Sequence, residues 1–285
     1  MDIIVGKTAG FCFGVRNAVT KASEEAEKYK NIYCIGELVH NKQVVEKLSE
    51  QGIKFIDNIE QAKSGKVIFR SHGVDKQTYE KAKKLNLDII DLTCPKVLHI
   101  HNVVEEYIKK GYYILITGQA SHPEMIGTVS FCEGQYFVID NKEKTKEAVE
   151  AFKKSGKNNA LLISQTTFSL EKFRQIAEIV KQQIKEENLH VVNTICTATK
   201  QRQEETEKIA KQVDCMIIVG GKNSSNSNKL CEIANKYCKN VLFIETEEEL
   251  EESKIKKAGT IGIMAGASTP EQSISKVIEN LKQIC

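Results

Sequence analysis

Long apolar runs are missing from this sequence of 285 residues. The longest, Tyr112–Thr117 and Cys215–Val219, are far too short to span a bilayer, so no membrane segment is expected. The start, Met1–Gly10, carries an acidic Asp2 and no apolar leader core, which predicts a cytoplasmic protein. Arginine is scarce: Arg16, Arg70, Arg174 and Arg202 are the only four among 41 basic residues, set against 38 acidic ones. With a net charge of +3 and no basic tract interleaved with aromatics, nucleic acid is not expected as a partner. No Walker A loop and no G-x-G-x-x-G follows the first strand, which disfavours a nucleotide site. No C-x-x-C pair occurs either, so the spacing of a zinc ribbon is absent.

What is present is ordinary in bulk and unusual in pattern. Apolar content of 41% and charge of 28% suit a globular chain with a sizeable core, and the length predicts two or three domains. The acidic and mixed runs Glu245–Glu252 and Glu204–Lys211 are predicted to be solvated helix faces. Nine cysteines is an odd number without an export signal, which argues against a disulfide framework and for metal or redox chemistry at some of them. Cys34, Cys132, Cys215, Cys231 and Cys238 sit inside strand-like or helix-like patterns and are expected to be small core residues, while Cys285, the last residue, carries no signal.

Short apolar runs alternate with longer amphipathic stretches, the pattern of α/β structure with parallel sheets. Three segments align as strand, glycine, polar loop, helix: NIYCIGELVHNKQVVEKL, YYILITGQASHPEMIGTVS and DCMIIVGGKNSSNSNKLCEIA. Each is followed by a second strand, KFID, YFVID or VLFIE, and then by a third ending in another polar loop, at RSHGV, SQTT or GAST. A fourth strand ends in cysteine and opens a helix at LDIIDLTCPKV and LHVVNTICTATK, and the third copy of this element stands at the N-terminus as DIIVGKTAGFCFGVRNAV. Cys12 to His40 and Cys94 to His122 both span 28 residues, and Cys196 to Asn226 spans 30. From each cysteine to the second polar loop the spans are 60 to His72, 72 to Thr166 and 72 to Ser268. The expected organisation is therefore three related α/β units, at 1–94, 95–193 and 194–285.

Ligands of parallel sheets collect where strands end and helices begin, and every residue in this spacing stands at such a turn. The only three prolines, Pro95, Pro123 and Pro270, follow Cys94, His122 and Thr269 and mark helix starts. A helix N-terminus lowers a thiol's pKa and attracts phosphate. Three cysteines from separate segments could hold zinc with a fourth position open, or a cubane cluster with one iron lacking a protein ligand. The remaining turns supply His40, His72, His122, Glu124, Thr166, Ser224, Ser225, Asn226 and Ser268. The KNSSNSN loop suits phosphate oxygens, and Glu124 is the one carboxylate of the set. Buried beside a diphosphate, such a carboxyl would titrate high and could donate a proton.

In family order, AGFCFGVRNAV, GELVHN, RSHGV, DLTCPKV, GQASHPE, SQTT, NTICTAT, NSSNSN and GASTPE resemble the 4-hydroxy-3-methylbut-2-enyl diphosphate reductases, which close the methylerythritol phosphate route to isoprenoids. The resemblance runs the length of the chain. It implies a trefoil-like arrangement of three α/β units around one [4Fe–4S] cluster held by Cys12, Cys94 and Cys196. It implies substrate contacts at His40, His72, His122, Thr166, Ser224, Ser225, Asn226 and Ser268, and proton delivery by Glu124. The implied reaction is reductive dehydroxylation of an allylic diphosphate, with the hydroxyl facing the iron that lacks a protein ligand. The implied electron donor is a ferredoxin or flavodoxin. A zinc-dependent hydrolase and a non-catalytic iron or redox sensor are the rival readings of the same three thiols.

Overall fold

In the computed structural model the described residues are 2–284. Among them twelve strands alternate with eleven α-helices. The first stretch comprises β1 (Asp2–Val5), α1 (Phe13–Lys28), β2 (Ile32–Ile35), α2 (Lys42–Glu50), β3 (Ile53–Ile56), β4 (Lys66–Phe69), α3 (Lys76–Lys84) and β5 (Asp88–Asp91). Next come α4 (Pro95–Lys109), β6 (Tyr113–Thr117), α5 (Pro123–Val129), β7 (Tyr136–Ile139), α6 (Thr145–Lys154), β8 (Ala160–Ser164), α7 (Leu170–Lys181) and β9 (Leu189–Val191). The chain continues through α8 (Thr197–Ala210), β10 (Cys215–Val219), α9 (Ser225–Tyr237), β11 (Val241–Ile244), α10 (Glu252–Ile255), β12 (Thr260–Ala265) and α11 (Glu271–Ile284).

Three four-stranded parallel sheets result, ordered β3-β2-β4-β5, β7-β6-β8-β9 and β11-β10-β12-β1. The order is the same each time: the first strand of a repeat is central, the second lies on one side, and the third and fourth lie on the other. The third sheet takes its fourth strand from the N-terminus, with Asp2–Val5 in register with Thr260–Ile263. That is the placement expected from the match of DIIVGKTAGFC to LDIIDLTC. By their internal contacts the residues form two compact units. One contains the chain as far as Thr20, Val39–Glu50 and everything from Thr197; the other contains Lys21–Leu38 and Gln51–Cys196.

The cores explain why these runs are strands. In β6 and β8 every residue is buried, yet the run divides with a period of two. Leu115 and Leu162 pack with Ala148, Phe152, Phe173 and Ile176 of α6 and α7, while Ile114, Ile116, Leu161 and Ile163 pack with Ile100, Val104 and Met125 of α4 and α5. The other unit repeats the division. Ile217, Val219, Ile261 and Ile263 meet Val277 and Leu281 of α11, and Met216, Ile218 and Met264 meet Ile209, Leu230 and Ala234 of α8 and α9. No helix among the described residues is long and apolar enough to cross a membrane.

Two expectations are corrected. Glu245–Glu252 is no helix face: it forms a short 3-10 turn at Glu247–Glu249, because Glu245 accepts from the Lys222 N–H at 2.7 Å and Glu249 from the Glu245 N–H at 3.1 Å. Glu204–Ala210 does lie on α8, with Glu204 and Lys208 exposed as expected, but Glu205 is half-buried and binds backbone N–H groups.

Candidate active site

In each sheet the chain order reverses between the first and third strands, and in open parallel sheets the crevice at the carboxyl ends of such a pair is where ligands bind. His122 follows β6 and Thr166 follows β8; Asn226 follows β10 and Ser268 follows β12; His40 and His72 follow β2 and β4. The cysteines follow the fourth strands: Cys94 after β5, Cys196 after β9, Cys12 after β1.

In the unit containing β2–β9, hydrogen bonds and one ring contact link these residues in series. Cys94 occupies the N-cap of α4, directly before Pro95, and its N–H donates to Ser71 O at 3.0 Å. Ser71 is itself anchored, its hydroxyl donating to Leu38 O at 2.7 Å. The next residue, His72, meets the His122 ring edge-on at 5.5 Å. His122 caps α5: its Nδ1 accepts the Glu124 N–H at 3.1 Å. An accepting Nδ1 carries no proton, so neutral His122 keeps its hydrogen on Nε2.

Glu124 is 2% exposed, and both its oxygens are held by Thr166. The Thr166 N–H donates to Oε1 at 2.7 Å and its hydroxyl to Oε2 at 2.6 Å. Burial pushes the Glu124 carboxyl up to about 7, against the opposing pull of those two bonds. Thr166 O in turn accepts the Cys196 N–H at 3.0 Å. Of the two threonines in SQTT, Thr166 is thus the one bonded to the acid; Thr167 takes a bond from the Gln165 side chain at 3.0 Å.

The other unit has a parallel layout. Cys12 N–H donates to Ala267 O at 3.1 Å, and the thiol accepts the Val15 N–H at 3.5 Å, so sulfur serves as the cap of α1. Beside Ala267, the Ser268 hydroxyl donates to His40 O at 3.0 Å. Gly221 lies against that same carbonyl; a Cβ there would come within 2.7 Å of it. Ser224 caps α9 by accepting the Ser227 N–H at 3.3 Å, and Ser225 opens the helix, half-buried. Asn226 is 3% exposed, and neither its amide oxygen nor its nitrogen has a protein partner. A buried amide with all its bonds unmade costs about 1–3 kcal/mol per group, so its natural partner is a bound polar ligand or water.

Two residues, Ser227 and His101, escaped the reading of the sequence. Ser227 Oγ lies between the glycines that end β10 and β12; a Cβ would approach it to 2.4 Å at Gly220 and 2.1 Å at Gly266. These glycines let α9 start close to the strand ends, and the pairs GG and AG behind apolar strands were the available signal. His101 of α4, 4% exposed, lies beneath the His72 loop, where a Gly73 Cβ would be 3.0 Å from its ring. Burial pulls His101 down to about 4, against the pull of Asp91 the other way, so it is neutral.

No disulfide joins the described cysteines. Cys12, Cys94 and Cys196 are part-exposed at strand ends. In contrast, burial pushes Cys34 and Cys132 up to about 12 and Cys215 to about 11. Cys238 is buried, and Cys231 is half-buried at the edge of the α8–α9 core. Cys285 lies outside the described residues. Part-exposed thiols on fixed backbone suit thiolate chemistry, while the other described cysteines pack in or against the cores.

Repeated parallel sheets with polar side chains and thiols gathered at strand carboxyl ends define an α/β enzyme of the ligand-at-the-switch-point class. The chain belongs to the LytB protein family, whose model matches residues 3–282. It is 42% identical to the 4-hydroxy-3-methylbut-2-enyl diphosphate reductase of Caldanaerobacter subterraneus subsp. tengcongensis, over 100% of this chain and 98% of the relative. It is also 42% identical to the Clostridioides difficile protein of the same name, over 100% of both. A solved structure of (E)-4-hydroxy-3-methyl-but-2-enyl diphosphate reductase, described as the terminal enzyme of the non-mevalonate pathway, superposes with a TM-score of 0.70 at 36% identity, covering 99% of this chain and 100% of that one. The Plasmodium falciparum reductase superposes at 0.90 with 29% identity, covering 98% and 87%. Membership of this family implies an iron–sulfur cofactor.

Proposed function

We propose that this chain reduces 4-hydroxy-3-methylbut-2-enyl diphosphate to isopentenyl and dimethylallyl diphosphates in the cytoplasm, the last step of the methylerythritol phosphate pathway. The observation that carries the mechanism is the buried Glu124, held near neutrality and tied through Thr166 to the backbone of Cys196. Cys12, Cys94 and Cys196 are the residues that would hold one [4Fe–4S] cluster; of the three repeat units 1–94, 95–193 and 194–285, the first carries Cys12 and Cys94 and the third Cys196. When bound, the cluster supplies single electrons and one iron without a protein ligand, Lewis-acidic towards the substrate oxygen.

The chain's own residues do the rest. His122 offers its Nε2 hydrogen to the diphosphate; His40 and His72 supply two more imidazoles. Ser224, Ser225 and Asn226 offer hydroxyl and amide donors at the N-terminus of α9, where the helix dipole favours an anion, and the Ser268 hydroxyl behind β12, which donates to His40 O, would turn to the diphosphate. Over the reaction the C–O bond breaks, two electrons and two protons enter, and water leaves. Glu124 delivers one proton to the departing oxygen, and the Thr166 hydroxyl holds the acid in place during the transfer. The electrons come from a ferredoxin or flavodoxin.

The test is anaerobic incubation of the purified chain with the substrate and a chemical reductant, with the C5 diphosphates followed by mass spectrometry. Both products should accumulate. Iron-loaded protein that leaves the substrate untouched would overturn the assignment and favour the sensor reading.

A further inference from the structure

The run Glu204–Lys211 places one acid, Glu205, where no solvated face would have it. Glu205 Oε1 accepts the Lys7 N–H at 2.8 Å, and Oε2 accepts both the Thr8 N–H at 2.8 Å and the Thr8 hydroxyl at 2.5 Å. Burial alone would push this carboxyl up; the bonds from Thr8 and Lys7 outweigh it and leave Glu205 below the usual carboxylate range. One turn earlier on α8, Arg202 is 4% exposed and donates to Gly10 O at 2.5 Å and to its own helix at Ala198 O at 3.2 Å. Gly10 has φ +95°, a left-handed conformation that brings its carbonyl round to the guanidinium. Two residues on, the Cys12 N–H reaches Ala267 O. The loop from Gly6 to Cys12 is therefore held at both ends, by two side chains of α8 and by the β12 loop. Gly6 permits this, since a Cβ there would meet Met264 Sδ at 1.9 Å and Glu205 at 3.3 Å.

We propose that Arg202 and Glu205 are positioning residues: a clamp on α8 that fixes the loop carrying Cys12 and so sets how firmly that thiolate is held as a cluster ligand. The inference rests on the cluster assignment above, but its geometry stands without it. A carboxylate receiving three donors and a buried guanidinium on a carbonyl are charge-assisted bonds, the strong class. Three residues apart, Arg202 and Glu205 share a helix face, so both reach the same loop. Without them the loop keeps its backbone bonds from Gly6 N–H to Ile263 O, from Ala9 N–H to Gly6 O and from Cys12 N–H to Ala267 O, together with the cap of α1.

The experiment compares Arg202→Met and Glu205→Gln with the wild type and with Glu204→Gln, an exposed control on the same helix. On the iron-free chain, hydrogen exchange is followed through residues 7–16. Losing one bond to a charged group shifts such an opening equilibrium by about 10- to 150-fold, so exchange at the Cys12 amide should quicken by at least about tenfold. Exchange in β10, β12 and α8 should stay at wild-type rates, as should all exchange in the control. On the anaerobically loaded protein, iron loss to a chelator should quicken in both variants, with partial rescue in Arg202→Lys. Unchanged exchange over 7–16, or an equal rise through the whole unit, would overturn the proposal. If wild-type protein takes up no iron, the cluster assignment fails while the exchange measurement still decides the clamp.

Discussion

Replacing Glu124 by Gln separates proton delivery from binding. Gln keeps the size of the side chain, and its amide can still accept the Thr166 N–H and donate to the Thr166 hydroxyl, so the contacts now at 2.7 and 2.6 Å can persist. What is lost is the transferable proton. Turnover with a chemical reductant should fall by about 10²–10⁴-fold, the range for a general acid, with substrate affinity and cluster spectrum little changed. The titration gives a second handle. A folded-state pKa of about 7 against an ordinary value of 4.5 means the folded chain binds the extra proton between those pH values. Stability therefore falls as pH rises from about 4.5 through 7, by about 3 kcal/mol if the whole difference is realised, and then levels off. Melting the iron-free chain at pH 5 and at pH 8 should show this loss in the wild type and not in Glu124→Gln. In the wild type kcat/KM should also decline above about pH 7 as the free enzyme loses its acid. A Gln variant with full turnover would remove Glu124 from proton delivery. A wild-type–variant stability difference that ignores pH would contradict its raised pKa.

Asn226→Ala should weaken substrate binding by about 10- to 150-fold while the cluster spectrum stays intact, because the amide's partners are expected to come from the diphosphate. Equal affinity by titration would reduce the NSSNSN loop to a helix cap. Ser268→Ala should also weaken binding, and more than a single lost donor would, since the hydroxyl positions the His40 backbone at 3.0 Å. Gly266→Ala places a Cβ 2.1 Å from Ser227 Oγ, so α9 must shift at its N-terminus. A loss of about 1–3 kcal/mol in thermal or denaturant unfolding is expected, accompanied by weaker substrate binding. A variant as stable as wild type would show that the crevice is not tightly packed.

The sheet plan was legible because repetition converts weak local signals into a strong one. A single apolar run such as Cys215–Val219 is ambiguous, but three copies in fixed spacing, each ending in a polar turn, settle the order of strands. The same logic reached β1, whose partner Thr260–Ile263 lies more than 250 residues away, because its run and cysteine matched the other fourth strands. The place of Glu124 behind Pro123 was legible, but the two hydrogen bonds it accepts from Thr166 were not. The clamp of Arg202 and Glu205 was hidden for a physical reason. Helical periodicity tells which face of α8 is apolar, but a charged residue turned inwards towards N–H groups 197 residues earlier leaves the same trace as a solvated one. Ser227 between its two glycines was hidden likewise, since close approach of a helix to strand ends is a property of packing.

The central claim is that Cys12, Cys94 and Cys196 together hold one cubane cluster, and metal content after anaerobic purification tests it most directly. The protein should be brown, with broad absorption near roughly 400 nm and about four irons and four sulfides per chain. Serine at any of the three positions should abolish that complement, whereas serine at Cys34, Cys132, Cys215, Cys231 or Cys238 should leave it intact. Colourless protein carrying one tightly held zinc would contradict the claim outright.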